Sequence, residues 1–170
     1  ALFEEASRIR TGLPAANPNR QEKFHMQAGA VRALARLHRF DEATTRLEGL
    51  FQALKESKLY PGNLGPGSFA ASALRAQADL SEAQGNRAAA IRTWEELAAG
   101  YESSPRRADN DLQWAIAHSE VFRSLARLYE AAGNLSAANA SQQKDRAIWD
   151  QWSRKLPSSS FVERQLRASR

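Results

Sequence analysis

The chain contains no cysteine. That excludes a disulfide framework, thiolate zinc sites and a thiol nucleophile. It leaves the compartment open, with the cytoplasm favoured and an extracytoplasmic part of an anchored protein as the alternative. No apolar run approaches the ~20 residues that span a bilayer, so no membrane contact is expected of this segment. Ile, Val and Thr are scarce, and no segment reads as a strand. Charge of one sign is only mildly in excess: 24 Lys and Arg stand against 19 Asp and Glu, a net +5. A dedicated nucleic-acid binder carries a denser basic patch, so no nucleic-acid partner is expected. The single Met is Met26 and the chain opens at Ala1, so residues 1–16 are expected to be the remnant of an earlier helix. That opening carries Glu4 and Glu5 and lacks the apolar stretch of a signal peptide.

What is present favours helices. Alanine makes up about a fifth of the chain, and Leu, Arg, Glu and Gln are plentiful. These residues lose little side-chain freedom in a helix. With 42% apolar and 25% charged residues over 170 positions, the composition is that of a folded domain or a segment of a larger protein. Asn17 and Pro18 suit the cap and first position of a helix, followed by Phe24, Ala28, Val31, Leu34, Ala35 and His38 on one face. Later segments repeat the pattern: Ala43, Leu47, Leu50, Phe51 and Leu54, then an Ala-rich stretch from Phe69 to Gln84. After these come Ala90, Ile91, Trp94, Leu97 and Tyr101, then Ile116, Phe122, Leu125, Ala126 and Tyr129, then Leu135, Ala138, Ile148, Trp149 and Trp152. Tyr60 to Gly67 reads as a loop, with Ser68 capping the next helix. Ser160 and Glu163 have capping-box spacing and predict a short last helix with Phe161, Val162 and Leu166 on its apolar side.

Signals for chemistry are weak. His25, His38 and His118 have no metal-ligand spacing, and His38 is expected to pack near a turn. Glu4-Glu5, Asp41-Glu42 and Glu95-Glu96 are sequence neighbours, which on a helix do not face each other. No phosphate loop or nucleophile elbow is present. Gly62, Gly65 and Gly67 flank prolines after a helix and read as loop. The triplets at Asn134 and Asn139 read as a helix turn and a helix interior rather than as glycosylation sites. Trp149 and Trp152 are expected to seal the last hairpin against the terminal helix, while Trp114 lies off the main stripe and is expected to be exposed. No enzyme activity, metal or cofactor is expected.

The informative signal is a repeat. Three short turns begin helices at Arg39-Phe40-Asp41, Gly85-Asn86 and Gly133-Asn134. The small residues Ala43, Ala90 and Ala138 follow them at intervals of 47 and 48 positions. A fixed period in this range marks stacked helical hairpins, because two helices joined by a short turn must approach closely beside it.

On these residues the chain resembles the tetratricopeptide repeat family. The third hairpin carries Phe122, Leu125, Ala126, Tyr129, Gly133, Asn134 and Ala138; the second carries Gly85, Asn86, Ala90, Trp94, Leu97 and Pro105. The first has Leu34, Phe40, Ala43, Leu47 and Leu50 but no Gly at its turn. The period exceeds the family's, as in long-period bacterial variants, and the ending Trp149 to Pro157 is similar to the close of C-terminal segments of some bacterial serine/threonine protein kinases. The resemblance implies an all-α right-handed superhelix of stacked antiparallel hairpins with a short C-terminal cap helix. The expected division is 17–60, 68–104 and 110–157 for the hairpins, then 158–170 for the cap helix and tail.

The resemblance further implies a concave groove lined by the first helices, used to bind a protein or peptide. Its positions fall on His25, Ala28, Arg32 and Arg36, then Ser72, Arg75, Asp79 and Glu82, then Glu120, Arg123, Arg127 and Glu130. Arginine's planar fork suits carboxylates, so an acidic partner is expected. The family's carboxylate clamp is not carried, because its positions read Ala28, Arg32, Ala76, Glu120 and Ser124. Charge reversal at Arg75 and Arg123 is expected to abolish capture while leaving the fold intact. The rival readings are a purely structural or oligomerising segment, an enzyme with an unrecognised site, and a basic helical nucleic-acid binder.

Overall fold

The computed structural model describes residues 19–62, 64–104 and 108–169. The expectations for residues 1–16, for Asn17 and Pro18 and for Pro105 lie outside them. Among the described residues the protein is all-helical, without strands: α1 (Asn19–Arg36), α2 (Phe40–Glu56), α3 (Phe69–Ala83), α4 (Arg87–Glu102), α5 (Leu112–Ala131), α6 (Leu135–Lys155) and α7 (Ser160–Ala168). The chain divides into two compact units, Ala1–Thr93 and Trp94–Arg170.

In the first unit, α1 packs on both α2 and α3, and α2 packs on α3. The three- and four-residue steps in the sequence become the core: Phe24, Ala28, Val31 and Ala35 from α1, and Ala43, Leu47, Leu50 and Leu54 from α2. Ala73, Ala76 and Leu80 of α3 complete it. Alanine on so much of α3 lets the neighbouring backbones come close, and Ala70, Ala71, Ala73, Ala76 and Ala78 are all buried there. Ser68 caps α3 by accepting from the Ala71 N–H at 3.1 Å, which satisfies one of the helix's orphan donors.

The short turns share one backbone solution. The N–H groups of Arg39, Asn86 and Asn134 reach back to the carbonyls of Leu34, Ser81 and Tyr129 at 3.0, 2.8 and 2.9 Å. Each such closure needs the preceding residue in the left-handed region. Gly85 (φ 77°) and Gly133 (φ 76°) supply it without a Cβ, and His38 (φ 57°) does so in the first turn. His38 thus stands where the other turns have glycine, exposed and edge-on to Phe40 at 5.5 Å. The cap differs too. Asn86 and Asn134 accept from Ala89 and Ala137 N–H groups at 3.2 and 3.1 Å. Arg39 makes no side-chain cap and instead grips Glu42 with two bonds of 2.6 and 2.5 Å.

Gly85→Ala and Gly133→Ala are each expected to cost about 1 kcal/mol, the scale of the left-handed penalty. A Cβ at either position meets nothing within 4 Å, so the cost is backbone strain alone. His38→Gly is expected to be neutral or stabilising by about 0.5 kcal/mol, since relief of strain exceeds the added chain entropy. Urea midpoints of the three variants check this; an unchanged midpoint for both alanine variants would overturn it.

In the second unit, α5 packs on α6 and α6 on α7. Asp111 caps α5, its Oδ1 accepting from Gln113 and Trp114 N–H groups at 2.9 and 3.4 Å. Trp149, Trp152, Ala115 and Val162 form the core, flanked by Phe161, Leu166, Ile148, Leu112 and Ala108. The Phe161 ring meets Trp149 edge-on at 5.9 Å, and the Trp152 indole donates to the Ala108 carbonyl at 2.7 Å.

Two expectations fail here. Trp114 is buried, at 5% exposure, because Tyr101 of α4 packs edge-on against it at 5.8 Å. The cap of α7 is Ser159, which accepts from the Val162 N–H, so Ser160 is already inside the helix. Glu163 consequently pairs forward with Arg167 at 3.6 Å rather than closing a capping box.

Candidate functional site

The expected groove residues divide between the units. In the first, α1 and α3 set side chains 47 positions apart side by side. His25 Nδ1 and Ser72 Oγ lie 2.8 Å apart. Arg32 Nε donates to Asp79 Oδ2 at 2.6 Å. Both pairs are 47 residues apart, the same separation as the first two short turns at Arg39 and Asn86. The His25 ring also lies against Phe69 at 4.6 Å. Arg36 is exposed one turn beyond Arg32, and Arg75 is half-buried one turn before Asp79. A shallow groove of about 550 Å³ opens between α2 and α3, lined by Thr44, Phe51, Lys55, Tyr60, Gln77 and Gln84 among others. Nothing in the periodicity pointed to this groove, since its lining mixes polar and apolar residues from two helices.

In the second unit Arg123, Arg127 and Glu130 come together around a cleft of about 170 Å³, with Gln142 and Asp145. A second cleft of about 420 Å³ has Ile116, Glu120, Arg123, Ser124, Arg127 and Gln165 on its walls. Arg123 is committed inward. Its Nε donates to Asp145 Oδ2 at 2.7 Å, and its Nη1 and Nη2 donate to the side chain and backbone of Gln165 at 2.9 and 3.0 Å. Asp145 is 1% exposed and also accepts from the Trp149 indole at 3.1 Å. That indole is shared with Ser119 Oγ at 2.9 Å.

Arg123 therefore ties α5, α6 and α7 together. Reversing its charge would set two carboxylates against each other in a buried site, so the expectation that such a change spares the fold is corrected. The inward role of Asp145 was concealed by its charge, although its place on the stripe of Ala138, Ser141, Trp149 and Trp152 is visible in the sequence.

Two groups in this unit have displaced ionisation. Burial holds the His118 imidazole below its ordinary 6.5, against the pull of Glu102 and of the Tyr101 backbone; Lys144 adds to the lowering. The Tyr129 hydroxyl is pushed up to about 12, by burial first and then by its hydrogen bond to the Glu95 carboxylate and the charge there.

Among the described residues no group of three or more His, Asp or Glu side chains could hold a metal ion. No helix among them is long and apolar enough to cross a membrane. Comparisons with protein-family models, with curated proteins and with solved structures give no match to this chain.

Proposed function

We propose that this chain is a protein-interaction segment of tetratricopeptide type, with a long period, that binds an extended acidic peptide along the α1–α3 face of its first unit. The observation that carries the reading is the pair of rungs His25–Ser72 and Arg32–Asp79, in identical register. Side chains repeated in register along neighbouring helices suit a ligand that is itself repetitive, such as an extended backbone with side chains at regular intervals. Arg36 lies exposed at the end of this ladder, which gives the face a cationic group to meet a carboxylate. Asp79 neutralises Arg32, so affinity is modest and salt-sensitive.

The second reading is a structural segment with no groove ligand. It is favoured by the internal pairing of Arg32 with Asp79 and of Arg123 with Asp145, which satisfies those charges within the protein.

A fluorescent peptide library graded in Asp and Glu content separates the two. Selection of acidic peptides is expected, with at least tenfold weaker binding to the Arg36→Glu/Arg75→Glu double variant of unchanged helicity. Equal binding by both proteins, or no selection, would favour the structural reading.

A further inference from the structure

Among the described residues, four buried side-chain polar atoms have no hydrogen-bond partner, on Gln27, Trp94, Asp109 and His118. His118 is the one whose charge changes near neutral pH. It lies on α5 at 8% exposure, enclosed by aromatic rings. Tyr101 stacks on it at 5.1 Å, with ring planes 23° apart, and Phe122 and Trp114 meet it at 5.8 and 6.2 Å. One ring nitrogen bonds to the Tyr101 backbone, whereas Nε2 has no partner. The charged groups that face it within this unit are Glu102 of α4 and Lys144 of α6. These two are bonded to each other at 3.0 Å, and Lys144 Nζ also lies 5.2 Å from the centre of the Phe122 ring.

We propose that His118 is an acid-sensitive latch in the second unit: on taking up a proton, its ring leaves the stack on Tyr101 and claims Glu102 from Lys144. A protonated Nε2 would be a charged donor without an acceptor in an apolar enclosure, an arrangement proteins avoid. Glu102 is the carboxylate at hand, and at 51% side-chain exposure it has room to turn. Lys144 repels the imidazolium where it stands, and a bond to Glu102 supplies the acceptor that Nε2 lacks there. Release of Tyr101 frees the end of α4 from α5, and the contact that buries Trp114 goes with it.

The direction of the pH effect follows from burial. The folded chain holds His118 below the value of about 6.5 that it has when unfolded. The unfolded chain therefore binds the proton first. The stability contributed by neutral His118 is fully present above pH ~6.5 and is lost as pH falls from there through the folded-state value.

The test uses the full chain. Proton NMR of the imidazole C–H signals is expected to show His118 titrating below 6.5; a midpoint at or above that value overturns the latch. Lys144→Gln removes the repulsion and is expected to raise the His118 midpoint; no rise overturns the exchange of partners. Thermal unfolding from pH 7.5 to 4.5 is compared for wild type and His118→Phe, which keeps a ring in the stack. Wild type is expected to lose several degrees more than the variant over that interval, and parallel losses overturn the proposal. If His118→Phe does not fold, the two NMR measurements decide.

Discussion

Asp145→Ala and Arg123→Ala are each expected to destabilise the second unit by about 3–5 kcal/mol, the scale for stripping one partner from a buried ion pair. The Asp145 carboxylate is almost wholly enclosed, and its two oxygens serve two donors, Arg123 Nε and the Trp149 indole. Without Arg123, the carboxylate stays buried without its cation and both Gln165 acceptors lose their donor. Without Asp145, the guanidinium keeps Gln165 and some solvent, since its side chain is 34% exposed, so this variant falls at the lower end of the range. Arg123→Ala with Asp145→Ala is expected to be less damaging than the two single changes added together, because no charge is left behind. Chemical denaturation of the four proteins gives the coupling energy. A coupling under about 0.5 kcal/mol would mean that the pair behaves like an exposed one.

Truncation after Pro157 is expected to produce the second large effect. It removes α7 and with it Val162, which is 1% exposed, together with the flanking Phe161 and Leu166. The face carrying Trp149 and Trp152 would then meet water. Opening that face is expected to cost roughly 2–4 kcal/mol, as for losing one or two core side chains, or to drive self-association through the exposed tryptophans. The outward side of α7 holds Glu163, Arg164 and Arg167, all exposed, so the intact helix ends the apolar layer with a polar surface. Val162→Asp tests the same contact at full length and is expected to act in the same direction. Light scattering and melting curves decide: a truncated chain that stays monomeric with an unchanged melting temperature would show that α7 is dispensable.

Both effects concern contacts between residues far apart in the chain, and here the sequence was least legible. Its local features were clear. Helix formers, cap residues and apolar steps of three and four act within a single turn or helix face, so the all-helical fold could be read from them, as could the loop before Ser68. The turns at Gly85 and Gly133 were equally plain, because only a residue without Cβ takes φ near 77° without strain. His38 broke that rule. Its turn keeps the geometry of the other two at the expense of backbone strain, which no local preference announces.

The candidate site was legible only as a set of positions. Stepping along each first helix placed Arg32, Arg75, Arg123 and Arg127 on one expected groove face, yet it could not say where their guanidinium groups point. Arg32 meets a carboxylate 47 residues away and Arg123 one 22 residues away. An ion pair forms wherever packing brings two charges together, and its strength depends on how much water the neighbours exclude. Burial in this protein is set by whole helices meeting. That is why Trp114 turned inward against Tyr101, why Asp145 became a core residue, and why His118 lost its access to solvent. Helices and turns follow from bonds that span a few residues and can be inferred along the chain. The partner of each charge follows from side chains converging from separate helices, which is a property of the folded protein alone.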